Sequence, residues 1–151
     1  MKKIASFWVL STLTTAAYAD SNLRISNESD ASSGCDLAVV GAQTRAPFDD
    51  FFSAFRAAVA SNKPAAIVPL ISFPLRINGK RRAIFVQNAS AFSRQYHAIF
   101  TKKVRDTVLN QAASALFCNS QGVMYGDGEV WVTLNSASNA ERYSVAAINV
   151  K

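Results

Sequence analysis

Two cysteines, one histidine and two groups of basic residues are the side chains of this chain with the most chemistry to offer. Cys35 and Cys118 are the only thiols. A redox pair normally sits as Cys-x-x-Cys, and a zinc site needs more ligands than His97 alone can add. The pair therefore reads first as one structural disulfide, with a two-thiol metal site or a redox pair as the alternatives. Such a bridge closes a loop of roughly 80 residues, which the chain-entropy model values at about 4–5 kcal/mol. His97 is the single histidine, so any histidine general base rests on it. It directly follows Tyr96, and on a helix it points about 100° away from that residue's face, which predicts an exposed ring. There is no Gly-x-Ser-x-Gly, no phosphate loop and no histidine–carboxylate metal cluster. Lys63 and Lys80 follow Asn and Gly in loops, and nothing marks them as Schiff-base lysines. No catalytic residue, metal ligand or cofactor is expected on these grounds.

The basic residues are more suggestive. Arg76, Lys80, Arg81 and Arg82 gather around Asn78-Gly79, and Lys102, Lys103 and Arg105 form a second group. One reading is a solvated edge, since charged tips discourage edge-to-edge strand pairing. The other is a docking surface for an acidic protein, a lipid headgroup or an anionic envelope polymer. Single-stranded nucleic acid fits poorly, because no aromatics are interleaved with the charges at the tip.

The start of the chain supplies an address. Lys2 and Lys3 precede a mostly apolar run over residues 4–16, and Ala17-Tyr18-Ala19 offers small residues at the positions a signal peptidase reads. The run is shorter than the roughly 20 residues that span a bilayer. No cysteine follows the cleavage point, so a lipoprotein anchor is not expected. The expectation is a signal peptide over residues 1–19, a polar, flexible lead-in over 20–34 and a single domain over 35–151, released into the periplasm or outside the cell. The full chain carries 16 basic and 10 acidic residues, and loss of Lys2 and Lys3 lowers its formal charge from +6 to +4. That is mildly basic and is no nucleic-acid footprint by itself.

Helical spacing is clearest at Phe48, Phe51, Phe52, Phe55 and Val59, with Pro47 suited to the first helical position and Asp49 and Asp50 to the first turn. The phenylalanine stripe reads as core before it reads as a ligand cavity. Asn62-Lys63-Pro64 ends that helix, and residues 65–70 allow a short second one, interrupted by Pro69. Residues 73–77 alternate like a strand, with Pro74 placing it at a sheet edge or a strand start. Asn78-Gly79 predicts a two-residue hairpin turn returning through residues 81–86. Asn88 then caps a helix bearing Phe92, Tyr96, Ile99 and Phe100, and Thr101 caps another with Val104, Val108 and Leu109 inward. Strands follow over 122–125 and 129–134, around the turn Gly126-Asp127-Gly128, and over 142–150. Val130, Val132 and Leu134 share one face, while Trp131 and Thr133 point the other way. Helices first and long strands last predict an α+β domain with helices on a curved antiparallel sheet.

The stretches "VPLISFPLRINGKRR", "NASAFSRQYHAIF" and "LFCNSQGVMYGDGEVWV", over residues 48–150, resemble small exported bacterial proteins of the nuclear transport factor 2-like, or cystatin-like, superfold. The resemblance implies a cone-shaped half-barrel whose mouth lies between helices and sheet. It implies no reaction, because that fold hosts enzymes and pure binding proteins alike. Its enzymes place a Tyr, Asp or His inside the cone, and the matching candidates are Tyr96, His97, Tyr125, Asp127, Trp131 and Tyr143. Of these, Tyr96, Tyr125, Trp131 and Tyr143 are the candidate cavity residues. Asp127, between two glycines, reads as a turn residue first. The function expected is a non-catalytic exported binding protein, such as an inhibitor, an immunity protein of a secreted toxin or an accessory of an envelope complex. The alternative is a small isomerase, dehydratase or hydrolase with its site in the cone.

Overall fold

The computed structural model describes residues 34–135 and 140–150. The expected signal peptide and nearly all of the lead-in lie outside the described residues. Within them the protein is α+β, with four α-helices and one open six-stranded sheet.

Helix α1 (Ala46–Ala60) forms where the phenylalanine spacing places it, with Pro47 in its first turn and Asp49 beside the positive end of the helix dipole. It stops at Asn62, which takes a left-handed conformation (φ 53°). Helix α2 (Pro64–Ile67) continues into a 3-10 turn through Leu70, so Pro69 divides the segment as expected. The Asn88 side chain accepts the Ala91 N–H at 2.9 Å and starts α3 (Ala89–Ile99). Thr101 caps α4 (Lys102–Asn110) through the Val104 N–H at 3.3 Å.

Strand β1 (Ile71–Gly79) pairs antiparallel with β2 (Ala83–Val86). Strands β3 (Phe117–Asn119), β4 (Gly122–Tyr125), β5 (Val130–Asn135) and β6 (Arg142–Val150) follow one another as an antiparallel meander. Gly122 (φ 141°) lets the β3–β4 turn run close to β5, because a Cβ there would sit 2.3 Å from the Val132 carbonyl oxygen. The spatial order is β2-β1-β6-β5-β4-β3, and β1 and β6 are parallel. The sheet is therefore mixed, where the sequence reading expected an antiparallel one. Parallel pairing requires a long crossover, and α3, α4 and the meander supply it.

Three local expectations are corrected. β1 is an interior strand, not an edge, and tolerates exposed Pro74 because the β1–β6 register shifts between Ile71 and Arg76. The hairpin does not turn at Asn78-Gly79. Asn78 pairs with Ala83 inside the ladder and the Gly79 N–H donates to the Arg82 carbonyl at 3.1 Å, so Lys80 and Arg81 form the tip. Asn78 is held in the strand by its side chain, which accepts from Arg76 and donates to Asn149. The return strand starts correspondingly later, at Ala83.

One hydrophobic cluster joins helices to sheet. The Phe55 ring meets Tyr125 of β4 edge-on at 5.8 Å, Phe48 meets Tyr143 of β6 at 5.1 Å, and Phe92 of α3 meets Phe73 of β1 at 6.3 Å. Cys35 and Cys118 are bonded, fixing the segment ahead of α1 to β3. Among the described residues no helix is long and apolar enough to cross a membrane. Phe55 and Phe92 are fully buried, so truncating either to Ala should cost about 3–5 kcal/mol. Denaturant unfolding checks this, and a loss below about 1 kcal/mol would contradict the packing.

Candidate functional site

Arg76 lies between Leu75 and Ile77 on β1, and both neighbours are buried, so its side chain leaves on the sheet face turned away from the helices. Register then defines a row across all six strands on that face: Phe85, Arg76, Ala147, Trp131, Met124 and Phe117. Arg76 is positioned by a chain of polar contacts. Its Nε donates to Asn78 Oδ1 at 2.8 Å, Asn78 Nδ2 donates to Asn149 Oδ1 at 2.6 Å, and Asn149 Nδ2 donates to the Gly128 carbonyl. Lys80, Arg81 and Arg82 are exposed at the hairpin tip, with no carboxylate partner among the described residues. Beside them β2 is the edge of the sheet. It exposes 56% of Phe85 and 38% of Ile84. The four expected basic residues therefore do come together, and they border an apolar, unpaired strand edge.

The second basic group behaves differently. Lys102 pairs with Asp106 at 2.5 Å, Arg105 donates to the Phe100 carbonyl at 2.8 Å, and Lys103 donates to Glu129 at 2.7 Å. These charges serve contacts inside the molecule.

The candidate cavity residues are not brought to one place. Tyr96 of α3 is buried and donates its hydroxyl to Asn62 Oδ1 at 3.1 Å. Burial raises its pKa, and nearby Arg105 partly opposes that. Tyr125 stacks on Phe52, and burial pushes its pKa well up. Tyr143 packs against Phe48 and Phe51 and is pushed up to about 12, by burial first and by Glu141 second. All three face the helices, whereas Trp131 is half-buried on the opposite face. His97 is exposed on α3 and Asp127 is exposed in the β4–β5 turn. No three metal-ligating side chains cluster among the described residues.

A polar latch that sequence reasoning missed holds the β4–β5 turn. Glu129, only 6% exposed, accepts from Lys103 and from the Asp127 N–H at 2.8 Å. Buried Gln111 accepts the Gly126 N–H at 2.7 Å and donates to the Ala112 carbonyl. Gly126 has no room for a side chain, because a Cβ would lie 2.4 Å from Glu129 Oε2. The glycine-flanked turn was visible in the sequence, but Lys103 and Gln111 reach it from α4 and its C-terminal end and leave no local signal.

Lys103 holds the Glu129 carboxyl below its ordinary value of 4.5, against the effect of burial. The pair's stabilisation is therefore fully present above about that pH and is lost as pH falls through the lower folded value. Lys103→Met should flatten the fall in melting temperature that wild type shows as pH drops below about 4.5. An unchanged acid limb would show that the pair contributes nothing.

No family model, curated protein or solved structure matches the chain.

Proposed function

We propose that the protein is an exported, non-catalytic binding module that docks an acidic protein partner on its β1–β2 end. It would act as an inhibitor, an immunity protein or an envelope-complex accessory, on a nuclear transport factor 2-like half-barrel. The observation that carries this reading is the juxtaposition of four cations without carboxylate partners and the exposed Phe85–Ile84 edge of β2. Unpaired N–H and C=O groups on an edge strand accept an added strand. The adjacent Lys80, Arg81 and Arg82 repel a second copy of the same edge and attract an acidic one. The Cys35–Cys118 bond and the leader over residues 1–19 support export to an oxidising compartment. An enzyme would need a base, an orienting group and a shared pocket. His97 and Asp127 instead sit exposed on separate elements.

A photo-crosslinking residue at Phe85 should capture an acidic protein from the producing organism. The same residue at Val39, also exposed, should not. The adduct at Phe85 should vanish with Arg81→Glu/Arg82→Glu. Equal capture at both positions, or capture that ignores the reversal, would overturn the docking site. Substrate turnover lost with His97→Ala or Asp127→Asn would overturn the non-catalytic reading.

A further inference from the structure

The β1–β2 register shows which backbone groups the outer edge of the sheet leaves unused. The Gly79 N–H bonds to the Arg82 carbonyl across the tip, so these two residues are a hydrogen-bonded pair, and the ladder alternates from there without a shift. Ile84 and Val86 therefore bond to Ile77 and Leu75, while Ala83 and Phe85 turn their N–H and C=O groups away from β1. β2 is the last strand of the sheet, and Ala83, Ile84 and Phe85 are all exposed. Among the described residues one side chain reaches these groups: Gln87 Nε2 donates to the Phe85 carbonyl at 3.4 Å, and a carbonyl can accept twice. An antiparallel strand of three residues would bond every one of these groups, whereas a parallel one of that length would bond half of them.

The side chains along that edge select what can pair with it. Ile84 lies opposite buried Ile77 and faces the helix side, whereas Ala83 and Phe85 lie opposite Asn78 and Arg76 on the open face. A seventh strand alternates in step: its residues beside Ala83 and Phe85 share the face of Arg76, and the one between them meets Ile84. The position beside Phe85 is two strand spacings, about 9.6 Å, from Arg76, a gap that two long side chains close. The position beside Ala83 adjoins Arg82 and the tip cations Lys80 and Arg81. Carboxylates at both positions, with an apolar residue between them, match the edge in charge and in hydrophobicity. The other edge strand, β3, offers no such match, since no charged residue lies between Gln111 and Gly122. A second copy of β2 would bring the same cations and be repelled.

We propose that the partner contributes an extended acidic–apolar–acidic segment that adds to β2 as an antiparallel seventh strand. Its backbone bonds to the N–H and C=O groups of Ala83 and Phe85, its apolar side chain covers Ile84, and its carboxylates turn towards Arg76 and the tip cations. This inference rests on the docking reading above and adds how the partner is held: the cations attract it, and the backbone of two residues fixes it.

The probe is the peptide acetyl-Thr-Glu-Val-Glu-Thr-amide, titrated into the purified protein and followed by amide NMR. With peptide at ten times its dissociation constant, exchange of the Ala83 and Phe85 N–H groups should slow about tenfold. The same peptide methylated on both glutamate backbone nitrogens keeps its charge but loses its donors, and should bind about tenfold or more weakly. Ala83→Pro removes an edge N–H and no bond to β1, so it should melt close to wild type and bind the parent peptide about tenfold more weakly. Methylated peptide that binds as tightly as the parent, with binding still lost in Arg81→Glu/Arg82→Glu, would overturn strand addition and leave acidic docking standing. So would a saturated complex in which Ala83 and Phe85 exchange as fast as in the free protein. No saturable binding, or parent affinity unchanged by Arg81→Glu/Arg82→Glu, would overturn docking and strand addition together.

Discussion

β1 and β6 run side by side in parallel, and that joint holds two antiparallel units, the β1–β2 hairpin and the β3–β6 meander, in one sheet. The core depends on it, because Leu75 and Ile77 of β1 and Val145 and Ile148 of β6 form adjoining parts of the floor on which the helices pack. The open face depends on it too. The Asn78–Asn149 contact spans the same joint and connects Arg76 to the β4–β5 turn. Parallel strands cannot be linked by a tight turn, so the chain between β2 and β6 must leave the sheet, and α3 and α4 cover the core on that path.

This arrangement separates two kinds of surface. The helix-facing side is filled by an aromatic network running from Phe48 and Phe51 through Phe55 to Phe100 and Tyr96. That filling explains why three of the four candidate cavity residues are core rings. The side turned away from the helices carries charge at its β1–β2 end. Charge placement also distinguishes the two basic groups, which look alike in the sequence. Lys102, Lys103 and Arg105 are occupied by Asp106, Glu129 and the Phe100 carbonyl, whereas the hairpin cations point to solvent.

What could be read from the residues is what local geometry encodes. The phenylalanine stripe, the Asn88 and Thr101 caps and the opposite sense of Trp131 relative to Val130 and Val132 all follow from periods of 3.6 and 2. So did the gathering of Arg76 with Lys80, Arg81 and Arg82, which needs only a hairpin. The parallel joint was not legible, since it matches residues about 70 positions apart with no turn between them to announce it. The true hairpin tip was hidden for a related reason. Asn-Gly is a strong local turn signal, but Asn78 is claimed by Asn149 from the far end of the chain. The contacts of Gln111 with Gly126 and of Glu129 with Lys103 are likewise products of tertiary structure.

Docking at the β1–β2 end depends on the hairpin cations meeting an acidic partner. The most direct measurement is the association rate of the captured partner with wild type and with Arg81→Glu/Arg82→Glu across ionic strength. Steering by the cluster predicts a wild-type rate that falls steeply as salt rises, and a slow rate in the double variant that barely responds, with dissociation little changed. Identical rates and identical salt dependence in the two proteins would contradict it.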